Sequence, residues 1–330
     1  MSSGFFPAGC FGKLPIYGDF IRQHAASAEA NDLDRWIQAG LEIAKRRFEA
    51  NWAAVYQKAP AYHFIFHAPS AERFLTGILQ PSYDQSGRAF PFLIFLHVDR
   101  MRFGNNVTMA PAIFRAFYDH ALALARQAPA NLTWREIPLS VERLQFSIPA
   151  DWETLVQPQH EWLAAMTMEK LWARLFGSFD DPRKFLLFNN LTKILLRLRQ
   201  YNPAQLTRGL RFPLAGAAEA EQTLAHETSF WLQVCWRILR KPVLAPTLFW
   251  TAPPAGQRRQ LFLFFRRPPE NSLLPLLQIA PELEAVCALD EAGKENLTDS
   301  EITMSLPYRM ILRELLHRKE LTLHDFLQNL

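Results

Sequence analysis

The sequence predicts a mixed α/β fold with two domains: a three-layer α/β/α domain at residues 1–130 and a second, helix-rich α/β domain at residues 131–330. A chain of 330 residues exceeds the usual size of one domain. Strand-like runs alternate with amphipathic helical stretches along it. Hydrophobic residues make up 49% and charged residues 21%, which is the usage of a folded globular protein.

Aromatic and β-branched runs bounded by Pro or Gly predict strands at residues 61–67, 73–80 and 91–98. An earlier run at residues 4–11 predicts a strand that ends in a turn. The strand at 91–98 is apolar on both faces, so helices must cover both sides of its sheet. This two-sided burial is the reason for predicting three layers.

The helices of the N-terminal half follow from apolar spacing. A stripe of apolar residues between Asp32 and Tyr56 predicts an amphipathic helix with Asn31 or Asp32 as its N-cap. A second helix is predicted at residues 110–128. The segment at 128–131, which contains Pro129, is expected to break that helix and mark the domain boundary.

The C-terminal half is predicted to be helical at residues 151–200, 217–240 and 305–328. Strands are predicted at residues 209–214, 246–251 and 260–266. The sequence does not predict the order of these three strands within a sheet.

Charge and cysteine usage narrow the class of protein. The net charge of +4 gives no nucleic-acid signature. Three cysteines in apolar settings indicate buried thiols in a reducing compartment. Neither a signal peptide nor an apolar run long enough to span a bilayer is visible. We therefore expect a cytoplasmic protein with no membrane span.

Recognisable catalytic motifs are missing from the sequence. The 13 glycines form no phosphate-binding loop, and no CxxC, HExxH or GxSxG occurs. His63 and His67 lie in a predicted strand about 13 Å apart, too far to share a zinc ion. We expect no cofactor, no metal and no enzymatic activity.

Two polar clusters interrupt the apolar background. Asp84 and Gly87 have the spacing of the first and fourth residues of a type I turn, which is a purely structural explanation. A functional interpretation makes the clusters a binding site on loops held by the sheet. If strands 4–11 and 91–98 are neighbours, both turns reach one rim, and Asp19 is expected to pair with Arg88. The clusters comprise Gly12-Lys13-Leu14-Pro15-Ile16-Tyr17-Gly18-Asp19-Phe20-Ile21-Arg22 and Pro81-Ser82-Tyr83-Asp84-Gln85-Ser86-Gly87-Arg88-Ala89-Phe90-Pro91.

The order of motifs in these clusters resembles the TagF/ImpM family of type VI secretion accessory proteins. The resemblance covers residues 4–100, and the family domain is expected to reach about residue 130. Leu33 departs from the pattern, since an aromatic residue is expected there. The motifs are Gly12-Lys13-Leu14-Pro15, Gly18-Asp19-Phe20, Arg22, Asp34-Arg35-Trp36, Pro81-Ser82, Asp84, Gly87-Arg88 and Phe90-Pro91.

The resemblance implies post-translational repression of type VI secretion by protein binding. The implied partners are the forkhead-associated-domain scaffold protein of the system or its inner-membrane complex. Some relatives carry a fused PP2C-type phosphatase, whose metal-binding aspartates are not recognisable here. The candidate binding or loop-ordering residues are Lys13, Asp19, Arg22, Asp84 and Arg88, and the candidate structural residues are Gly12, Pro15, Gly18, Trp36, Pro81, Gly87 and Pro91.

Two alternatives stay open at the level of sequence. One is a structural subunit of the secretion apparatus. The other is an enzyme with an unrecognised site near Asp19, Asp84 and Arg88, which requires these side chains to converge beside a pocket.

Overall fold

A computed structural model describes residues 4–69, 72–149, 151–200, 206–216, 223–240, 246–252, 259–277, 285–291 and 306–330. Within these ranges the strands are β1 (Phe5–Phe6), β2 (Ala8–Gly12), β3 (Ile21–Gln23), β4 (Ala61–Phe66), β5 (Arg73–Gln80), β6 (Phe92–Asp99), β7 (Phe146–Ser147), β8 (Gly209–Pro213), β9 (Thr247–Ala252), β10 (Gln260–Phe264) and β11 (Val286–Ala288).

The helices of the same ranges are α1 (Ala28–Phe48), α2 (Trp52–Gln57), α3 (Arg100–Phe103), α4 (Ala110–Ile113), α5 (Arg115–Asn131), α6 (Glu136–Glu142), α7 (Glu153–Ala165), α8 (Met168–Phe176), α9 (Arg183–Gln200), α10 (Leu224–Leu239), α11 (Leu273–Leu276), α12 (Leu306–His317) and α13 (Leu323–Gln328). Short 3₁₀ helices lie at Glu49–Asn51, Gly104–Met109 and Glu270–Ser272.

One nine-stranded sheet organises the described chain, in the order β11-β8-β10-β9-β4-β5-β6-β2-β3. Neighbouring strands are antiparallel except β11 and β8, which are parallel. β1 and β7 form a separate two-stranded sheet. The strands of the two sequence halves meet where β4 pairs with β9, from Ala61 opposite Ala252 to Ile65 opposite Leu248.

Alternate residues of the strands enter two separate hydrophobic cores. In β6, Ile94 and Leu96 belong to one core, while Leu93 and Phe95 belong to the other. Helices α3 to α10, α12 and α13 contribute to the first core, and α1, α2 and α11 to the second. Because helices cover both faces, the predicted mixed α/β, three-layer fold is confirmed.

Helix α1 begins earlier than predicted. The Ser27 hydroxyl accepts a hydrogen bond from the Ala30 backbone N–H at 3.3 Å, so Ser27 is the N-cap and the prediction of Asn31 or Asp32 is wrong. The preceding residues from Ala28 favour helix and extend it by one turn. The helix ends at Phe48, because Glu49 has a positive φ of 41°, and α2 completes the predicted segment.

The segment predicted to mark the domain boundary, residues 128–131, contains the end of α5. Pro129 lies in the last turn of this helix, which continues to Asn131. The predicted strands at 209–214, 246–251 and 260–266 correspond to β8, β9 and β10. The predicted helical segments at 217–222 and at residue 305 lie outside the described residues. The sheet continues across the boundary, because β4 pairs with β9. Independent folding of residues 1–130 and 131–330 has not been tested and stays a prediction.

The second core joins the two halves of the chain. The Trp36 ring stacks on Phe249 with centroids 5.1 Å apart, and its indole Nε1 donates to the Pro269 carbonyl at 3.1 Å. The Tyr62 hydroxyl donates to the Leu276 carbonyl at 2.6 Å. Both buried polar groups are therefore paired across the halves, as burial requires.

The sequence led us to expect no membrane-spanning helix and three buried cysteines, and the structure can be compared with both expectations. None of the described helices combines the length and the apolar character needed to cross a membrane. Cys10 and Cys235 are buried, whereas Cys287 is partly exposed. Burial raises the pKa of Cys10 to about 12, which keeps this thiol protonated at neutral pH.

We predict that Gly12→Ala destabilises the protein. Gly12 has a φ of 133°, and an added Cβ would lie 2.1 Å from the Pro91 carbonyl oxygen. The clash and the backbone strain should lower the free energy of unfolding by about 3 kcal/mol, measured by urea denaturation. Gly216→Ala, at an open position, is the control and should shift it by less than about 0.5 kcal/mol. Equal effects of the two changes would contradict the close approach.

Candidate functional site

The second polar cluster is a closed turn between β5 and β6. The Gly87 backbone N–H donates to the Asp84 carbonyl at 2.8 Å, and the Ser86 N–H donates to Asp84 Oδ1 at 3.0 Å. Gly87 has a φ of 82°, a conformation that favours glycine. The turn predicted from the spacing of Asp84 and Gly87 is confirmed.

The Asp84 carboxylate is buried and accepts hydrogen bonds at both oxygens. Oδ2 accepts from Lys13 Nζ at 2.9 Å and from Arg88 Nε at 2.7 Å. Oδ1 accepts from the Ser86 hydroxyl at 2.7 Å and the Arg88 backbone N–H at 2.9 Å, in addition to the Ser86 N–H. These five donors occupy the acceptor capacity of a carboxylate.

The ionised form of Asp84 is strongly favoured. Burial by itself raises the pKa of this carboxyl, but the hydrogen bonds from Lys13, Ser86 and Arg88 outweigh it, and the pKa lies well below the ordinary value. Asp84 is therefore a permanent anion at physiological pH, held between two cations.

The two polar clusters meet, as the sequence predicted. Arg88 Nη2 donates to the Gly18 carbonyl at 2.7 Å, and the Gln85 N–H donates to the Tyr17 carbonyl at 3.0 Å. The first cluster makes its own turn, in which the Tyr17 N–H donates to the Leu14 carbonyl at 3.1 Å. The adjacency of β2 and β6 places both turns at one rim of the sheet.

The predicted pairing of Asp19 with Arg88 is wrong. Asp19 Oδ1 accepts instead from the Phe20 backbone N–H at 2.7 Å, in an exposed position. Arg88 pairs with Asp84 from its own turn, because that carboxylate is buried while Asp19 points to solvent. The other candidate, Arg22, pairs with Asp34 at 2.7 Å and so ties β3 to α1.

The remaining motif residues lie in the second core or in the two turns. Trp36 is fully buried in the second core. Pro81 and Pro91 flank the second turn and line a small apolar space beside Tyr56, whose hydroxyl accepts from the Ser82 N–H at 3.3 Å. Pro15 is half-buried in the first turn, next to the exposed Gly18.

An aromatic–arginine surface, formed by Tyr17, Arg88, Trp134 and Arg135, lies beside the paired turns. The rings of Tyr17 and Trp134 stack with centroids 4.6 Å apart, and the Arg135 guanidinium lies 5.2 Å from the Trp134 ring. Trp134 is 39% exposed. Sequence reasoning missed this surface because Trp134 lies beyond the predicted boundary and 117 positions after Tyr17.

Two other buried titratable groups were not found by sequence reasoning. Glu29, in the first turn of α1, pairs with His97 at 3.2 Å, and the second His97 nitrogen lies 2.7 Å from the His24 carbonyl. Glu227, in α10, accepts from the Ala215 N–H at 3.3 Å. Burial raises the pKa of Glu227 to about 7, despite the opposing hydrogen bonds and arginines nearby.

The two histidines considered as metal ligands lie in apolar surroundings. The His63 ring stacks on Tyr118, and the His67 ring lies against Phe74. Burial lowers the pKa of each to about 3. Among the described residues, no three His, Cys, Asp or Glu side chains are grouped so as to hold a metal ion.

Comparisons with known proteins give a family match over the residues that contain the paired turns. Residues 9–144 match the family described as TagF N-terminal domain, Type VI secretion system-associated. A search of curated proteins finds no match. A solved structure, PA0076 from Pseudomonas aeruginosa PAO1, is similar at 15% identity and a TM-score of 0.47, covering 84% of this chain and 98% of that one.

We predict that Asp84→Asn is far more damaging than Asp19→Asn. Losing the Asp84 charge leaves Lys13 buried without a counter-charge, which should cost about 3–5 kcal/mol of unfolding free energy. Asp19→Asn should cost less than about 0.5 kcal/mol. Lys13→Met combined with Asp84→Asn should cost less than the sum of the single changes, whereas Asp19→Asn and Arg88→Ala should be additive. Non-additivity between Asp19 and Arg88 would refute this arrangement.

We predict that Glu227→Gln removes a pH dependence of stability. The carboxyl pKa is raised from 4.5 to about 7 on folding, so the folded state keeps a proton that the unfolded state releases. Stability should therefore fall as pH rises from about 4.5 to about 7, by up to about 1.4 kcal/mol per pH unit. In the Gln variant this slope should flatten and stability at pH 7 should increase. Parallel pH profiles of urea unfolding for both proteins would contradict the assignment.

Proposed function

We propose that this chain, whose residues 9–144 match the TagF N-terminal domain associated with type VI secretion, is a non-enzymatic, post-translational repressor of that system. It acts in the cytoplasm by binding proteins. The family match carries the proposal, since it links the chain to type VI secretion. The repressive direction rests on the resemblance of the sequence motifs to the family.

The state of the candidate site supports binding over catalysis. Both oxygens of the Asp84 carboxylate already accept hydrogen bonds from Lys13, Ser86 and Arg88. No lone pair is therefore left to activate a substrate. Its effect is to fix the shape of two loops. A rigid pair of loops on a sheet rim is a common platform for recognition.

The surface beside those loops has the composition of a protein interface. Tyr, Trp and Arg are the residues enriched at the energetic centres of interfaces, and all three types occur here. Arg88 is anchored by Asp84 yet its side chain is 64% exposed. The Tyr17–Trp134 stack and the Arg88 side chain are already ordered before a partner binds. Binding therefore costs little additional side-chain conformational entropy.

The proposed partner is the forkhead-associated-domain scaffold protein of the type VI system or the inner-membrane complex of that system. The identity of the partner within this pair is an outcome of affinity capture followed by mass spectrometry.

We predict that loss of the protein raises type VI secretion and that excess protein suppresses it, measured as secreted tube protein in culture supernatants. The Trp134→Ala, Arg135→Ala double variant should behave like the deletion, because truncating interface centres weakens binding by about 2 kcal/mol or more, roughly 30-fold. Its cellular level and melting temperature should stay near those of the parent.

The matched control is Met101→Ala combined with Arg47→Ala, which removes an exposed apolar side chain and an exposed cation outside this surface. This variant should repress normally. Unchanged secretion on both deletion and overproduction would reject the repressor. If the Trp134→Ala, Arg135→Ala variant represses secretion as well as the parent does, the aromatic–arginine surface is not the binding site, but the proposed repressor role still stands.

A further inference from the structure

A second site lies at the C-terminal end of α10, away from the paired turns. A pocket of about 530 Å³ opens there, between α10, α13 and the 3₁₀ helix Gly104–Met109. Its volume is within the range of small-molecule sites. The lining residues are Thr108, Gln233, Trp236, Arg237, Arg240, Gln328 and Leu330.

One face of α10 supplies most of this lining. Gln233, Trp236, Arg237 and Arg240 follow one another at intervals of three, one and three residues, which places them along one side of the helix end. Trp236 and Gln233 are half-buried, while both arginines are exposed. A flat ring, an amide and two guanidinium groups therefore face the same space.

Neither arginine forms an ion pair within the described part of the chain, although Leu330, which carries the terminal carboxylate, also lines the pocket. No carboxylate there lies within ion-pair distance of either guanidinium, whereas Arg46 and Arg318 each pair with a glutamate four residues earlier. Basic residues are favoured at helix C-termini by the helix dipole, which explains the charge alone. It does not explain the concave space, the indole ring or the amides around them.

We propose that this pocket binds a nucleoside phosphate. The guanidinium forks of Arg237 and Arg240 match phosphate oxygens, which they bind in pairs. The half-buried Trp236 indole offers a stacking face for a base. Gln233 and Gln328 carry amides that both donate and accept, as hydrogen bonding to the edge of a base requires.

This site is independent of the proposed function. Apart from Thr108, its lining lies outside residues 9–144, and it requires nothing of the aromatic–arginine surface. Binding there would make the C-terminal half a ligand-responsive part of the chain.

The test is isothermal titration calorimetry of the full chain with ADP, pyrophosphate and adenosine as separate probes. We expect ADP to bind at least about tenfold more tightly than either of the other two, because only ADP combines a base with phosphates. Arg237→Gln combined with Arg240→Gln should weaken ADP binding by at least about tenfold. Trp236→Leu should weaken ADP binding but leave pyrophosphate binding unchanged.

The control is Arg47→Gln, an exposed arginine in the last turn of α1 that should leave ADP binding unchanged. Thermal melting of each variant checks that the fold is retained. If ADP does not bind, or if ADP and pyrophosphate bind equally tightly, the proposal that the ligand is a nucleoside phosphate is wrong. ADP binding that survives the double arginine change, or that Arg47→Gln reduces equally, would overturn the site. None of these outcomes depends on secretion, so the two proposals fail separately.

Discussion

The hydrogen-bonded pairing of β4 with β9 is the constraint on which the rest of the structure depends. It makes one sheet out of strands separated by about 180 residues of sequence. Every central strand is then buried on both faces, so each face must carry its own apolar side chains and its own helices. The helices of the C-terminal half cover much of one face, and α1 covers part of the other.

The candidate site is a consequence of this sheet. Because β2 lies next to β6, the loops that follow β2 and precede β6 leave the sheet at the same rim. A single buried carboxylate, Asp84, then holds both loops through Lys13 and Arg88. Burying an anion is costly unless it is paired and fully hydrogen-bonded, and this site meets both requirements. The loops are thereby fixed, and nearby aromatic rings are presented in a defined arrangement.

Helix α10 connects this framework to the second proposed site. Near its start Glu227 is buried with a pKa raised to about 7, and at its end Arg237 and Arg240 line an open pocket. The middle of the helix is almost entirely buried, with Trp231 and Cys235 in the first core. Only the C-terminal end of α10 presents exposed charged side chains, those of Arg237 and Arg240.

The sequence alone determined the local elements and the class of fold. Apolar alternation identified the strands, the two-sided run at 91–98 required three layers, and the spacing of Asp84 and Gly87 identified the turn. These features depend on neighbours within a few residues, so local patterns carry them. Tertiary structure decided the continuous sheet, the choice of Asp84 over Asp19 as the partner of Arg88, and the stacking of Tyr17 on Trp134. These three features depend on the order of the strands in the sheet and on which side chains become buried. The spacing of residues along the sequence predicts neither.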